Sequence, residues 1–157
     1  MIQRLINTNL KEIDFTFNYV QSNKMKPVGL WYSINYEWLE WCRYNFRIHK
    51  EIIEIEIDLS NVLVIDSVFK LNSLTEEFGY FIVEGIKYID WEKLSKRYSG
   101  IEFVNYNEIR NQLSVLDLPT WFYGLDVASG CIWDLSVIKN YKHSELDLSL
   151  WVDDSEY

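Results

Sequence analysis

The stretch Glu51-Ile52-Ile53-Glu54-Ile55-Glu56-Ile57-Asp58 decides the fold more than any other part of the chain. From residue 53 onward its isoleucines alternate with acidic residues, which is the period of a β-strand with one buried and one solvated face. A strand of this kind is typical of an antiparallel sheet. The carboxylates of the second face are therefore interpreted as a solvent-facing row rather than as a catalytic pair.

Further elements are predicted on both sides of this strand. Helices are expected at residues 10–17, capped by Thr8 or Asn9, at 36–44 with an apolar stripe, and at 91–98 behind an Asp90 cap. Residues 68–89 are predicted to be helix and loop, and residues 108–115 a loop or a short helix. Short strands are expected at residues 2–6, 29–33, 62–65, 101–106, 121–126 and 130–134. Since no regular βαβ repeat is present, we predict an α+β fold with a mostly antiparallel mixed sheet and short flanking helices.

Composition narrows the class of protein. The chain has 157 residues, 48% of them hydrophobic, and a net charge of −9. Extensive disorder is excluded, and the negative charge argues against a nucleic-acid partner and against an anionic membrane surface. No apolar run approaches the length of a membrane span, the start of the chain lacks a signal-peptide pattern, and only two cysteines occur. A cytoplasmic protein with reduced thiols is expected.

The acidic residues concentrate near the end of the chain. We predict one globular domain over residues 1–142 and an acidic C-terminal segment over residues 143–157, which contains no Lys or Arg. A solvated end is the simplest interpretation of the segment. The apolar residues Leu146, Leu148, Leu150 and Trp151 alternate through its acids, however, which also fits a contact segment or a last edge strand.

Most chemical motifs are missing from the sequence. Its histidines and cysteines lie far apart, so no zinc site is predicted. Cys131 lies in an apolar strand, where a buried and inert thiol is expected. Neither glycine-rich phosphate-binding motif occurs. The more promising feature is Trp31 and Tyr32 beside Ser33, because an aromatic pair next to a hydroxyl can stack a planar ligand and bond its edge.

The order of several short motifs resembles the ADP-ribosyltransferase fold, in particular its small bacterial, phage, toxin-like and anti-CRISPR-type members. Each motif alone is weak, and their common order along most of the chain carries the resemblance. The segments are Ile6-Asn7-Thr8-Asn9, Gly29-Leu30-Trp31-Tyr32-Ser33, Ile53-Glu54-Ile55-Glu56-Ile57-Asp58, Tyr98-Ser99-Gly100-Ile101 and Ser129-Gly130-Cys131-Ile132-Trp133-Asp134.

The resemblance implies NAD as cofactor and a set of residues that bind it. The family's His or Arg, which contacts the ribose or phosphate, corresponds to Asn7, followed by Thr8. Ser33 would anchor the nicotinamide-side ribose, and Tyr32 or Tyr36 would stack the nicotinamide ring.

The same resemblance implies an altered catalytic position. The family's catalytic Glu opens the last strand and steadies an oxocarbenium-like transition state. Ser129 occupies that place here, and Asp126, three residues earlier, is the candidate substitute.

Two functional hypotheses follow. The first is an ADP-ribosyltransferase-like NAD-binding protein of a bacterium or phage, with altered catalysis. The alternative is a non-catalytic acidic interaction or inhibitor protein that binds a basic host or cognate partner, because aromatic anchors and strong charge both suit an interface.

Overall fold

The computed structural model describes residues 1–45, 48–113 and 121–148. Four helices occur in this part of the chain: α1 (Glu37–Asn45), α2 (Val68–Phe78), α3 (Trp91–Ser95) and α4 (Tyr106–Leu113). The strands are β1 (Arg4–Thr8), β2 (Leu30–Ile34), β3 (Glu51–Ile57), β4 (Val62–Ile65), β5 (Gly79–Val83), β6 (Ile86–Ile89), β7 (Gly100–Phe103), β8 (Ser129–Ile132) and β9 (Ile138–His143).

Seven of these strands form one sheet in the order β4-β7-β8-β2-β1-β3-β9. The pair β4 and β7 is parallel, and the other pairs within this sheet are antiparallel. Strands β5 and β6 form a separate two-stranded hairpin. The prediction of an α+β fold with a mostly antiparallel mixed sheet is therefore confirmed.

The decisive strand lies inside the sheet, between β1 and β9. Ile53, Ile55 and Ile57 are buried, whereas Glu56 is exposed and Glu54 is partly exposed. The alternation predicted from the sequence is thus confirmed. Burial of three isoleucine side chains stabilises the sheet by roughly 1.5–3 kcal/mol each before entropy is counted.

The helices begin where side chains bond free backbone amides. The hydroxyl of Ser67 accepts from the Lys70 amide at 3.3 Å at the start of α2. The carboxylate of Asp90 accepts from the Lys93 amide at 3.0 Å at the start of α3, as its sequence predicts. Such caps satisfy donors that the helix itself leaves free.

Three predictions are wrong. In place of the loop expected after the helix within residues 68–89, strands β5 and β6 pair as a hairpin. Residues 10–17 are not helical: the Leu10 amide donates to the Thr8 hydroxyl and the Thr16 amide to the Asp14 carboxylate. Short polar side chains here compete with the helix for backbone amides. Residues 121–126 contain a 3₁₀ helix (Phe122–Leu125) instead of a strand. Its aromatic residues resemble those of a strand in sequence, but both Trp121 and Phe122 are buried on one core.

The final strand and the acidic segment also differ from the simplest expectation. Strand β9 was not predicted, because its residues are mostly polar and exposed at the sheet edge. At the start of the acidic segment, Leu146 and Leu148 pack against a small core of Leu5, Leu39 and Ile52. Residues 149–157 lie outside the described residues. Within the described chain no helix has the length and hydrophobicity that a membrane crossing requires.

Candidate functional site

A cavity of about 280 Å³ opens on one face of the central strands. Beneath it, Ser33 of β2 pairs with Leu5 of β1 on one side and with Ser129 of β8 on the other, so the three residues form one row across the sheet. Its walls come from these strands, from α1 and from three loops. Its lining consists of Leu5, Asn7, Lys26, Trp31, Tyr32, Ser33, Trp38, His49, Leu125, Val127 and Ser129. Three residues singled out from separate motifs, Asn7, Ser33 and Ser129, therefore share one cavity.

Ser33 connects the sheet to α1. Its side chain is buried, and its hydroxyl accepts from the Trp38 amide at 3.0 Å and donates to the Asn35 carbonyl at 3.1 Å. The chain turns sharply between strand and helix, since Asn35 has a φ of 51°. The hydroxyl thereby holds the first turn of α1, which places the Trp38 side chain in the cavity wall.

Asn7 anchors the loop at the cavity rim. Its amide nitrogen donates to the carbonyls of His49 and Glu51 at 2.9 and 3.2 Å, and its oxygen accepts from the His49 amide at 2.8 Å. Both amide hydrogens are consequently engaged. The side chain fixes His49 at the rim, where that residue is exposed.

A strained turn precedes Ser129. Asp126 has φ 65° and ψ −44°, and the Val127 amide donates to the Leu125 carbonyl at 2.7 Å. This is the rare γ-turn of positive φ, which costs about 1–3 kcal/mol in a residue other than glycine. The turn brings Leu125 and Val127 to the cavity, while Asp126 is exposed and does not line it. The Ser129 hydroxyl donates to the Val127 carbonyl at 3.1 Å.

The turn is fixed from α1 as well. The Glu37 carboxylate accepts from the Ala128 amide at 2.9 Å. This contact joins α1 to the turn that precedes β8. Glu37 itself does not line the cavity.

Tyr32 precedes Ser33 on β2. Because successive side chains of a strand point to opposite faces of the sheet, the Tyr32 side chain lies on the face opposite to that of Ser33. Its phenol lies across Gly130, where an added Cβ would overlap the ring, and its hydroxyl donates to the Glu102 carboxylate at 2.7 Å. Arg4 donates to the same carboxylate from Nε and Nη2 at 2.7 and 3.0 Å. Burial, followed by the negative charge of Glu102, raises the pKa of Tyr32 far above its ordinary value.

Glu102 is therefore the centre of a buried network behind the cavity. Its side chain is 1% exposed and that of Arg4 is 14% exposed. The ion pair with Glu102 raises the pKa of Arg4. Sequence reasoning missed this network, although one acid within the apolar strand Gly100–Phe103 was a signal of a buried partner.

Two other predicted ligand residues lie outside the cavity lining. Thr8 uses its hydroxyl in a local turn to the Leu10 amide, and Tyr36 is 36% exposed at the start of α1. Trp38 belongs to the apolar stripe that the sequence predicts for the helix at residues 36–44. It lines the cavity with Trp31 and stacks on Trp41 with ring centroids 4.8 Å apart.

The cavity lining within the described residues carries positive or neutral side chains. Among the lining residues of the described chain, Lys26 is the only one with a permanent charge, and His49 is the only other ionisable side chain at the rim besides the buried Tyr32. No Asp or Glu belongs to that lining, and no group of three or more potential metal ligands was found among the described residues. The arrangement suits an aromatic ring between apolar walls with an anionic group near Lys26.

Comparisons of the chain with protein-family models, with curated proteins and with solved structures found no match.

Proposed function

We propose that the protein is an ADP-ribosyltransferase-like nucleotide-binding protein that holds NAD without cleaving it. The observation that carries the proposal is the convergence of Asn7, Ser33 and Ser129 on one cavity. These residues come from three motifs whose order resembles that family. Their positions on β1, β2 and β8 are far apart in the sequence and adjacent in the sheet.

The shape of the cavity supports a ring-binding role. A volume of about 280 Å³ lies just below the roughly 300–1,000 Å³ typical of small-molecule sites. It holds one ring with its sugar rather than a whole dinucleotide. Trp31 and Trp38 supply aromatic surface, and Lys26 supplies a cation for phosphate at the open side.

The electrostatics support binding without cleavage. Loss of nicotinamide passes through an oxocarbenium-like state, which a fixed carboxylate stabilises. The lining within the described residues carries no carboxylate, and the γ-turn leaves Asp126 exposed. Ser129, at the position of the family's catalytic Glu, has no negative charge to contribute.

Isothermal titration with NAD, together with an assay for released nicotinamide, tests this function. We expect saturable binding and no release above the uncatalysed rate. The variant Trp31→Leu should weaken binding at least tenfold, whereas Tyr44→Leu, an exposed aromatic on α1 outside the cavity, should not. Absence of NAD binding, or release that depends on Asp126, would contradict the proposal.

A second candidate function is an interaction protein, and the β5–β6 hairpin favours it. Phe81, Ile82 and Val83 are 65, 47 and 56% exposed, and Ile86 is 37% exposed. Contiguous exposed apolar residues often mark a protein interface. If the net charge of −9 directs a basic partner to this hairpin, the complex should dissociate in high salt and be lost in a Phe81→Ser, Val83→Ser variant. A complex that survives both changes would exclude this arrangement.

A further inference from the structure

The polar side chains in the cavity have little hydrogen-bonding capacity left for a ligand. The hydroxyls of Ser33 and Ser129 donate to the carbonyls of Asn35 and Val127. Both amide hydrogens of Asn7 donate to backbone carbonyls. A nicotinamide ring carries a carboxamide, whose oxygen needs a donor when it is buried. These three side chains offer it none.

The charge of the cavity also discriminates between the two rings of NAD. Nicotinamide in NAD is a pyridinium cation, whereas adenine is neutral. Lys26 places an ammonium group in the lining, and no carboxylate of the described residues lies there to offset it. Glu37, whose carboxylate accepts from the Ala128 amide, does not belong to that lining. A second cation close to this exposed ammonium is repelled by it, and solvent and salt screen that repulsion.

The walls favour the larger neutral ring. Trp31 and Trp38 present aromatic faces, and Leu5, Leu125 and Val127 add apolar surface. Stacking and apolar contact increase with ring area, so a bicyclic purine gains more than a pyridine. A purine can leave the polar edge of its ring at the open mouth in water. Its phosphate can then reach the exposed Lys26 of the lining.

We infer that the cavity binds the adenosine-phosphate end of a nucleotide and excludes the pyridinium end. This inference rests on the proposed function and adds that NAD binds through its adenine half. ADP or ADP-ribose is then as good a ligand as NAD itself. Recognition of this kind also leaves the nicotinamide outside the cavity, away from Ser33 and Ser129.

Titration calorimetry with ADP, nicotinamide mononucleotide and its reduced form tests the inference on the full chain. The two mononucleotides share one phosphate and differ from each other chiefly in the ring charge. We expect ADP to bind at least tenfold more tightly than nicotinamide mononucleotide. We also expect the reduced, uncharged form to bind more tightly than the oxidised form. Equal or tighter binding of oxidised nicotinamide mononucleotide would overturn the inference.

A matched pair of lysine variants separates charge from shape. Lys26→Gln should weaken ADP binding several-fold. It should also narrow the difference in affinity between the oxidised and reduced mononucleotides. Lys24 is also exposed and lies outside the cavity lining, so Lys24→Gln should change neither the affinity for ADP nor the difference between the two mononucleotides. An unchanged difference in Lys26→Gln would refute the electrostatic argument. Binding of NAD without binding of ADP would overturn this inference alone, whereas absence of binding by every nucleotide would overturn the proposed function as well.

Discussion

Replacement of Glu102 by Gln removes the charge that joins three strands behind the cavity. The carboxylate accepts two hydrogen bonds from Arg4 and one from Tyr32, and it is 1% exposed. In the variant the guanidinium of Arg4, itself 14% exposed, keeps its charge without a counterion. The oxygen of the new glutamine side chain can still accept a hydrogen bond, but its NH₂ group faces the donors of Arg4 and Tyr32 and cannot accept from them.

The expected cost follows from this geometry. Removal of one member of a buried ion pair costs about 3–5 kcal/mol, out of a total of roughly 5–15 kcal/mol for a domain. For a chain of this length, that corresponds to a fall in Tm of roughly 6–20 °C. The double variant Arg4→Met, Glu102→Gln should be less destabilised than Glu102→Gln alone, because no uncompensated charge remains.

Equilibrium unfolding in urea, followed by tryptophan fluorescence, measures the change. The control is Glu56→Gln, an exposed acid on β3, whose effect should stay within about 0.5 kcal/mol. A loss below about 1 kcal/mol in Glu102→Gln would refute the argument. So would a double variant that is less stable than the single one.

Three further predictions concern buried residues of the same sheet and of α1. Gly130→Ala should lower the free energy of unfolding by about 1–3 kcal/mol, because its methyl group would overlap the Tyr32 ring; thermal unfolding that matches the wild type would exclude this packing. Burial raises the pKa of Tyr32, so the native state keeps a proton that the unfolded chain loses near pH 10, and stability should decline as the pH rises above about 10. Over that pH range, urea unfolding should show a shallower decline in the free energy of unfolding for Tyr32→Phe than for the wild type. Equal declines in the two proteins would contradict this prediction. Burial also raises the pKa of Cys131, and Cys42 is buried too, so Ellman's reagent should modify neither thiol before unfolding; rapid reaction of the native protein would contradict the structure.

Periodicity in the sequence predicted β3 because one face of that strand is buried and the other is solvated. The same property fails for residues 121–126, where the consecutive residues Trp121 and Phe122 are both buried at the start of a 3₁₀ helix. Strand β9 has no buried face to create a pattern, so its exposed polar residues gave no signal. A local sequence pattern therefore indicates which side chains are buried, and it predicts secondary structure only where burial follows the period of a strand or helix.

The candidate site was predictable in part. Motif order placed Asn7, Ser33 and Ser129 together, and the sheet register brings them to one cavity. Alternation along β2 places the Tyr32 side chain on the opposite face from that of Ser33, where its hydroxyl donates to Glu102, although Tyr32 also belongs to the cavity lining. The pairing of Arg4 with Glu102 spans 98 positions in the sequence. No local pattern reports such a contact, because it depends on the order of the strands.

The indole ¹H–¹⁵N spectrum of the protein during titration with ADP-ribose tests the central claim most directly. The account predicts saturable shifts at Trp31 and Trp38, with a smaller change at the stacked Trp41. The indoles of Trp91 and Trp133 should not move, since their Nε1 groups are bonded to backbone carbonyls of Lys24 and Tyr98 outside the cavity. Unchanged Trp31 and Trp38 signals, or shifts confined to other indoles, would show that the cavity is not the binding site.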